Sequence, residues 1–314
     1  MTPGRRWGGP SADAYDRLVR LVAPPAVAVE AHGDWDAVES SLGVRLPGDY
    51  RRMVETYGWG EFCDFLYLRT PFGTSAHNGL AWQAGRETGV PEWDRERYPY
   101  PLRPAPGALL LWGRTMDADR LCWLTEGEPE EWPVVVWSRD GWYETHATGA
   151  AGFVGGWAGA TLTSPLLVDM EPDLAPWFNA FRPRLHRCLR LSEGPYAHPE
   201  RLRRLRAALA PTVDRGSWRS EPHESAHESA HESGYASGYE SAQDHFATVD
   251  SDWLITYDMA RPHQIRISFP PEHRGRARRR ILAAVRDMGC RVLEITTVGG
   301  RTLEDWDAAT EEDG

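Results

Sequence analysis

The chain has no lysine; all 35 of its basic residues are arginine. We read this as codon bias of a GC-rich genome and attach no function to it. Cysteine is also scarce. Cys63, Cys122, Cys188 and Cys290 are widely separated and form no Cys-x-x-Cys pair. That spacing fits reduced cytosolic thiols better than a disulfide framework. No apolar run approaches the length of about 18 residues that a membrane-spanning helix needs. Met1 to Pro10 is rich in Arg and Gly with no apolar stretch behind it, so it does not read as a signal peptide. A cytoplasmic location is expected. Nucleophile-elbow, P-loop and zinc-type Cys/His patterns are absent outside one repetitive segment discussed below. No catalytic set and no cofactor are therefore expected, and the chain reads as a non-enzyme.

What is present suits a globular protein. The 314 residues are enough for two domains at about 150 residues each, and 41% are hydrophobic, with 15 Trp. The net charge is −11. Residues 32–163 carry 11 Arg against 19 acidic residues, which leaves −8 in that segment. An acidic surface disfavours nucleic acid and favours a basic partner.

The organising stretch runs from Trp35 to Leu68. Asp34 can N-cap a short helix with Trp35, Val38 and Leu42 on one side, and Gly43 suits its left-handed C′ position. Pro47 suits the first position of a second helix, whose apolar face is Tyr50, Met53, Val54 and Tyr57. Gly58 stops that helix, Gly60 keeps the turn flexible, and Phe62 to Leu68 reads as a buried strand. In Trp35, Glu39, Leu42-Gly43, Leu46-Pro47, Asp49-Tyr50, Tyr57-Gly58, Gly60 and Phe62 this stretch resembles the opening signature of the SUKH superfamily. That family includes the yeast Smi/Knr cell-wall synthesis regulators and bacterial immunity proteins that neutralise toxins, often nucleases. The resemblance implies an α+β fold, with helices packed on one mostly antiparallel sheet. It also implies a bacterial protein-binding module that neutralises a toxin by direct binding. The alternative is a Smi/Knr-like interaction or regulatory scaffold without a toxin partner.

The remaining segments follow in order. Residues 1–31 read as a tail and a short helix, and 32–163 as the SUKH-like domain. Ala108–Trp112, Leu121–Thr125, Pro133–Trp137 and Trp142–His146 are short β-rich runs joined by turn signals, which predicts an antiparallel meander. Ala151–Leu162 reads as its closing helix. Residues 164–211 read as a helical appendix, with Trp177, Phe178, Phe181, Leu185, Leu189 and Leu191 as its stripe. Residues 212–245 read as a disordered His/Glu/Ser/Gly linker. Residues 246–314 read as a small ββαβ domain with an acidic tail, whose three strands are marginal alone.

Several patterns invite chemistry and are better explained without it. His223-Glu224-Ser225-Ala226-His227 matches the zinc-protease motif, and the next repeat unit matches again. A repeating His-Glu-Ser-Ala tetrapeptide produces that pattern automatically, and its Ser, Ala and Gly flanks offer no buried frame. Gly152, Gly155, Gly156 and Gly159 lack dinucleotide-fingerprint spacing and read as close helix packing. His77, His146 and His186 fall in different elements. Arg274, Arg276, Arg278, Arg279, Arg280 and Arg286 read as a solvated helix face, because 246–314 holds 10 Arg against 12 acidic residues. The candidate binding surface is the acidic loop of Glu126, Glu128, Glu130 and Glu131 together with Asp117 and Asp119. Trp59, Trp82, Trp93 and Tyr98 would be its aromatic anchors if exposed.

Overall fold

The computed structural model describes residues 12–73, 98–171, 173–219, 242–259 and 262–308. It divides into two compact units, Met1–Phe181 and Arg182–Gly314. Both are antiparallel sheets with flanking helices, so the α+β expectation holds.

In the first unit, helices α1 (Ala12–Leu21), α2 (Trp35–Leu42) and α3 (Gly48–Tyr57) precede strands β1 (Gly60–Phe62) and β2 (Leu66–Leu68). After the undescribed stretch come β3 (Leu109–Thr115), β4 (Arg120–Leu124), β5 (Val134–Trp137) and β6 (Tyr143–His146). Helix α4 (Ala150–Ala158) and β7 (Phe178–Ala180) close the unit. The strand order is β6-β5-β4-β3-β2-β1-β7.

The local reasons are visible in the helix pair. Asp34 accepts from the Ala37 amide at 3.0 Å, and Gly43 ends α2 at φ +68°. Pro47 precedes the first helical residue instead of occupying it. Gly58 has φ +69°, and a Cβ there would collide with the Val29 carbonyl, so only glycine lets residues 28 and 29 pass. Gly60 serves the same end beside the Asn179 carbonyl, which allows β7 to pair with β1.

The run Phe62–Leu68 is not one strand. It is a hairpin whose three-residue loop, Cys63-Asp64-Phe65, holds its first two residues at positive φ, 55° and 57°. This is the turn geometry that matches strand twist. The sequence shows no Gly or Asn there to announce it. The Asp64 carboxylate accepts from Asn179 Nδ2 at 2.5 Å and Trp177 Nε1 at 3.2 Å, which offsets the left-handed backbone.

The core packs Leu18, Tyr50, Met53 and Tyr57 from the helices against Phe62, Leu66, Trp112 and Trp123 of the sheet. The α4 glycines take the expected packing role. A Cβ on Gly155 would sit 3.5 Å from Leu18 Cβ, and one on Gly159 would sit 3.2 Å from Leu21 Cδ2, so α1 and α4 approach closely. A bulge between Leu111 and Gly113 reverses the facing of β3 and sends Arg114 to the side away from the helices.

The second unit contains β8 (Leu185–Leu191), α5 (His198–Ala208), β9 (Thr212–Arg219), β10 (Ala242–Thr248), β11 (Leu254–Asp258), β12 (Gln264–Phe269), α6 (Arg274–Asp287) and β13 (Val292–Thr296). The order is β13-β8-β12-β11-β10-β9. The expected ββαβ run is present but forms part of a six-stranded sheet. The supposed helical appendix supplies β7, β8 and a single helix. Leu185 and Leu189 stand four apart, as on a helix, but Leu185, Arg187, Leu189 and Leu191 also alternate, and it is the alternation that is realised. The two ends of the supposed linker are strands β9 and β10, paired to each other. The His-Glu-Ser-Ala repeats between them lie outside the described residues.

This unit buries ionisable groups. Arg187 is 0% exposed, and its guanidinium donates to the carbonyls of Trp306 (3.0 Å), His186 (2.8 Å) and Ala308 (3.1 Å). His263 is also buried. Its Nδ1 lies 3.0 Å from the Tyr257 hydroxyl and its Nε2 lies 2.9 Å from the Ser192 carbonyl, with Arg201 at 3.1 Å. Burial lowers the pKa of His263 and of His198, which stacks on Tyr257 at 5.1 Å and sits 3.2 Å from Asp244.

Candidate functional site

The signature residues are structural, and the fold shows what each does. Trp35 Nε1 donates to Glu55 at 2.8 Å, and its ring meets Phe72 edge-on at 4.6 Å. Glu39 accepts from the Leu46 amide at 2.9 Å and fixes the link between α2 and α3. Leu42, Leu46 and Phe62 are buried. The Tyr50 hydroxyl donates to the Arg69 carbonyl at 2.7 Å, and the Tyr57 hydroxyl donates to that of Val22 at 2.7 Å. Burial raises both phenol pKa values. Asp49 accepts from its neighbour's amide, Tyr50, at 2.7 Å and from the Ala151 amide at 3.0 Å. It therefore joins the start of α3 to the start of α4. Burial raises its pKa against those two amide bonds.

The structure does not bring the expected acidic residues together. Asp117 and Asp119 lie in the β3–β4 turn, while Glu126, Glu128, Glu130 and Glu131 lie in the β4–β5 link at the opposite end of β4. Five strand residues separate the two ends by about 17 Å. Asp119 is 4% exposed; it accepts from Thr115 Oγ1 at 2.7 Å and the Arg139 amide at 3.0 Å, so it fastens two turns together. In the other group, Glu130 lies near Gly48 at the start of α3, the positive end of that helix dipole. Trp132 ties that loop by donating to the Gly127 carbonyl at 3.2 Å, and its four glutamates are exposed.

The expected anchors also differ. Trp59 is half-buried against Phe181 at 5.2 Å. Tyr98 packs on Trp137 at 5.3 Å and Tyr100 at 5.8 Å. Trp82 and Trp93 lie outside the described residues, as does His77. His146 packs edge-on against Phe153 at 5.0 Å, and His186 lies in β8.

The exposed aromatic that sequence reasoning missed is Trp142, 69% exposed, which follows the Asp140-Gly141 turn. The turn is tightly made. Trp142 N donates to Ser138 Oγ at 3.0 Å, Ser138 N donates to the Trp142 carbonyl at 2.8 Å, and Gly141 holds φ +85°. Asp117, Asp119, Ser138, Asp140, Trp142 and Leu166 line one cleft of about 480 Å³, together with Arg139, which lies 4.0 Å from Asp140. An Asp-Gly turn signal beside a Trp was readable in the sequence; the indole's exposure was not.

A second cluster lies on the sheet face opposite the helices. Strand pairing places Asn179, Glu61, Tyr67, Arg114, Arg120, Trp137 and Tyr143 in one row across all seven strands. Arg120 stacks over Trp137 at 4.3 Å. Burial, reinforced by Asp64, pushes the Glu61 carboxyl up to about 7, against the Asn179 hydrogen bond.

No group of three His, Cys, Asp or Glu side chains is placed to hold a metal among the described residues. The four cysteines are buried free thiols. No described helix is long and apolar enough to cross a membrane. No curated protein and no solved structure matches the chain. The family model SUKH_6, described as SMI1-KNR4 cell-wall, matches residues 32–154. The match covers less than half of the 314 residues and lies within the first unit, so it is this segment, with its helix pair, hairpin and meander, that is similar to the SUKH family.

Proposed function

We propose that the first unit is a non-catalytic protein-binding module that acts as an immunity protein and neutralises a basic bacterial toxin domain, such as a nuclease, by direct occlusion. The observation that carries this reading is the cleft where exposed Trp142 stands beside Asp117 and Asp140. A rigid exposed indole is the side chain that most often anchors an interface. Flanking carboxylates raise the encounter rate with a basic surface and disfavour acidic competitors. The Glu126–Glu131 loop adds long-range steering from the opposite end of the sheet.

The test is affinity capture of the tagged chain from its own cells, with bound proteins identified by mass spectrometry. A single basic toxin domain that loses toxicity when bound supports immunity. Trp142→Ala should then weaken binding by about 2 kcal/mol. Asp117→Lys with Asp140→Lys should slow association more than Glu128→Lys, Glu130→Lys and Glu131→Lys together. Unchanged affinity in the Trp142 variant would remove this cleft from the interface. Capture of several housekeeping proteins instead would favour the scaffold reading.

A further inference from the structure

The six arginines of α6 divide by the side on which they leave the helix. Arg276 and Arg280 turn to Asp250, at 3.0 and 3.9 Å, and lie over the Trp253 ring at 5.7 and 5.4 Å. Arg274 donates to the Asp307 carbonyl at 3.2 Å, and Arg278 pairs with the Asp307 carboxylate at 2.6 Å. The face is mostly exposed, as expected, but four of its six arginines are engaged. Arg279 and Arg286 are the exceptions: both are exposed, and among the described residues neither has an acidic partner. They stand two helical turns apart, so the two side chains leave the same side of the helix from backbone positions about 10 Å apart. Half-buried Leu282 lies between them. These three residues line a cleft of about 460 Å³ with Gly275, Arg278 and Asp307.

We propose that this face of α6 docks an acidic amphipathic helix of a partner protein, whose carboxylates pair with Arg279 and Arg286 while an apolar side chain covers Leu282. The spacing selects a helix. Carboxylates seven residues apart on a helix project from one side at about 10 Å, with a residue three or four positions along lying between them. An extended strand offers same-face positions only at about 7 or 13 Å. The charge selects carboxylates over a nucleic-acid backbone. Nucleic-acid affinity comes from neutralising many phosphates, whereas this cleft has two cations without an acidic partner among the described residues and contains the Asp307 carboxylate.

The test is fluorescence anisotropy of the full chain with a labelled helical peptide of about 18 residues that carries Glu at seven-residue spacing and Leu between. Saturable binding is expected, weakened about tenfold when the peptide's Glu residues become Gln and by the same factor or more in Arg279→Glu/Arg286→Glu. Arg17→Glu/Arg20→Glu, on α1, should bind as the parent does. The milder Arg279→Gln/Arg286→Gln pair repeats the measurement if the charge reversal lowers the melting temperature. No saturable binding would overturn the proposal, as would binding by the α6 variants as tight as the parent's. So would displacement of the peptide by an oligothymidylate at lower concentration than by unlabelled peptide, which would reassign the face to nucleic acid.

Discussion

The two units share an architecture and differ in what they bury. The first packs Trp, Tyr and Phe around apolar strands, and its buried tyrosines each hold one backbone carbonyl. The second encloses Arg187, Arg201, Asp244, Asp258 and His263, against Arg69 and Asp119 in the first. An aromatic interior depends on shape, since loss of a ring leaves a cavity. An ionic interior depends on complete pairing, since loss of one partner leaves a buried polar group unsatisfied. The second unit should therefore be more sensitive to single polar substitutions and to acid.

The largest expected effect is at Arg187. Arg187→Ala removes the donors to Trp306, His186 and Ala308 and empties a fully buried volume, and should cost about 3–5 kcal/mol. Arg190→Ala, in an exposed pair with Glu294 at 2.9 Å, should cost less than about 1 kcal/mol. Urea unfolding of both variants checks the contrast. A loss at Arg187 no larger than at Arg190 would end the buried-charge account of the second unit. In the first unit, Asp49→Ala leaves the amides of Tyr50 and Ala151 without their acceptor and should cost about 1–3 kcal/mol. Asp49→Asn keeps one acceptor oxygen and should recover part of that loss.

A pH titration sharpens the comparison, because the units should move in opposite directions. Glu61 has its carboxyl raised to about 7 by burial and by Asp64, beside Tyr67 and Asn179. The folded first unit therefore holds a proton that the unfolded chain releases. The corresponding stability is fully present below pH 4.5, the ordinary value for a glutamate, and is lost as pH rises through about 7. His198 and His263 shift the other way. Burial lowers both below 6.5, and Arg201 and Arg219 add to the effect against Asp244 and Glu193. Their contribution is complete above pH 6.5 and is lost as pH falls through the depressed folded values. Hydrogen exchange between pH 7.5 and pH 5 should show slower opening, after correction for intrinsic rates, in peptides from α3 and β1. Peptides from β11 and β12 should open faster. Parallel movement of both sets would refute the opposition.

How much was legible follows the same division. The α2–α3 pair, its caps and the meander could be read because each rested on a local signal: Asp34, Gly43, Pro47, Gly58 and the Asp140-Gly141 turn. The Cys63-Asp64 turn could not, because its left-handed backbone is held by Asn179 and Trp177, more than a hundred residues away. Strand β8 was misread because Leu185 and Leu189 satisfy both periodicities, and only pairing with β12 and β13 decides between them. The acidic candidates were selected by charge, but function at a surface depends on which end of a strand a turn occupies. Asp117 and Glu128 are separated by one strand in the chain and by that strand's full length in space. Asp119 looked equivalent to Asp117 until burial distinguished them.

The smallest expected effect on stability is at Trp142, and for that reason it gives the cleanest test of the first unit's surface. The indole is mostly solvated, and the turn beneath it is built from backbone groups and Ser138 Oγ, none of which requires the ring. Trp142→Ala should change unfolding free energy by less than about 0.5 kcal/mol. Trp137→Ala, one strand away, removes a buried ring stacked with Tyr143 at 5.6 Å and should cost about 3–5 kcal/mol. A side chain whose removal leaves the fold intact but weakens partner capture is an interface anchor. If Trp142→Ala instead destabilises the protein as Trp137→Ala does, the indole belongs to the packing of the first unit, and the surface must be sought among the glutamates at the other end of the sheet.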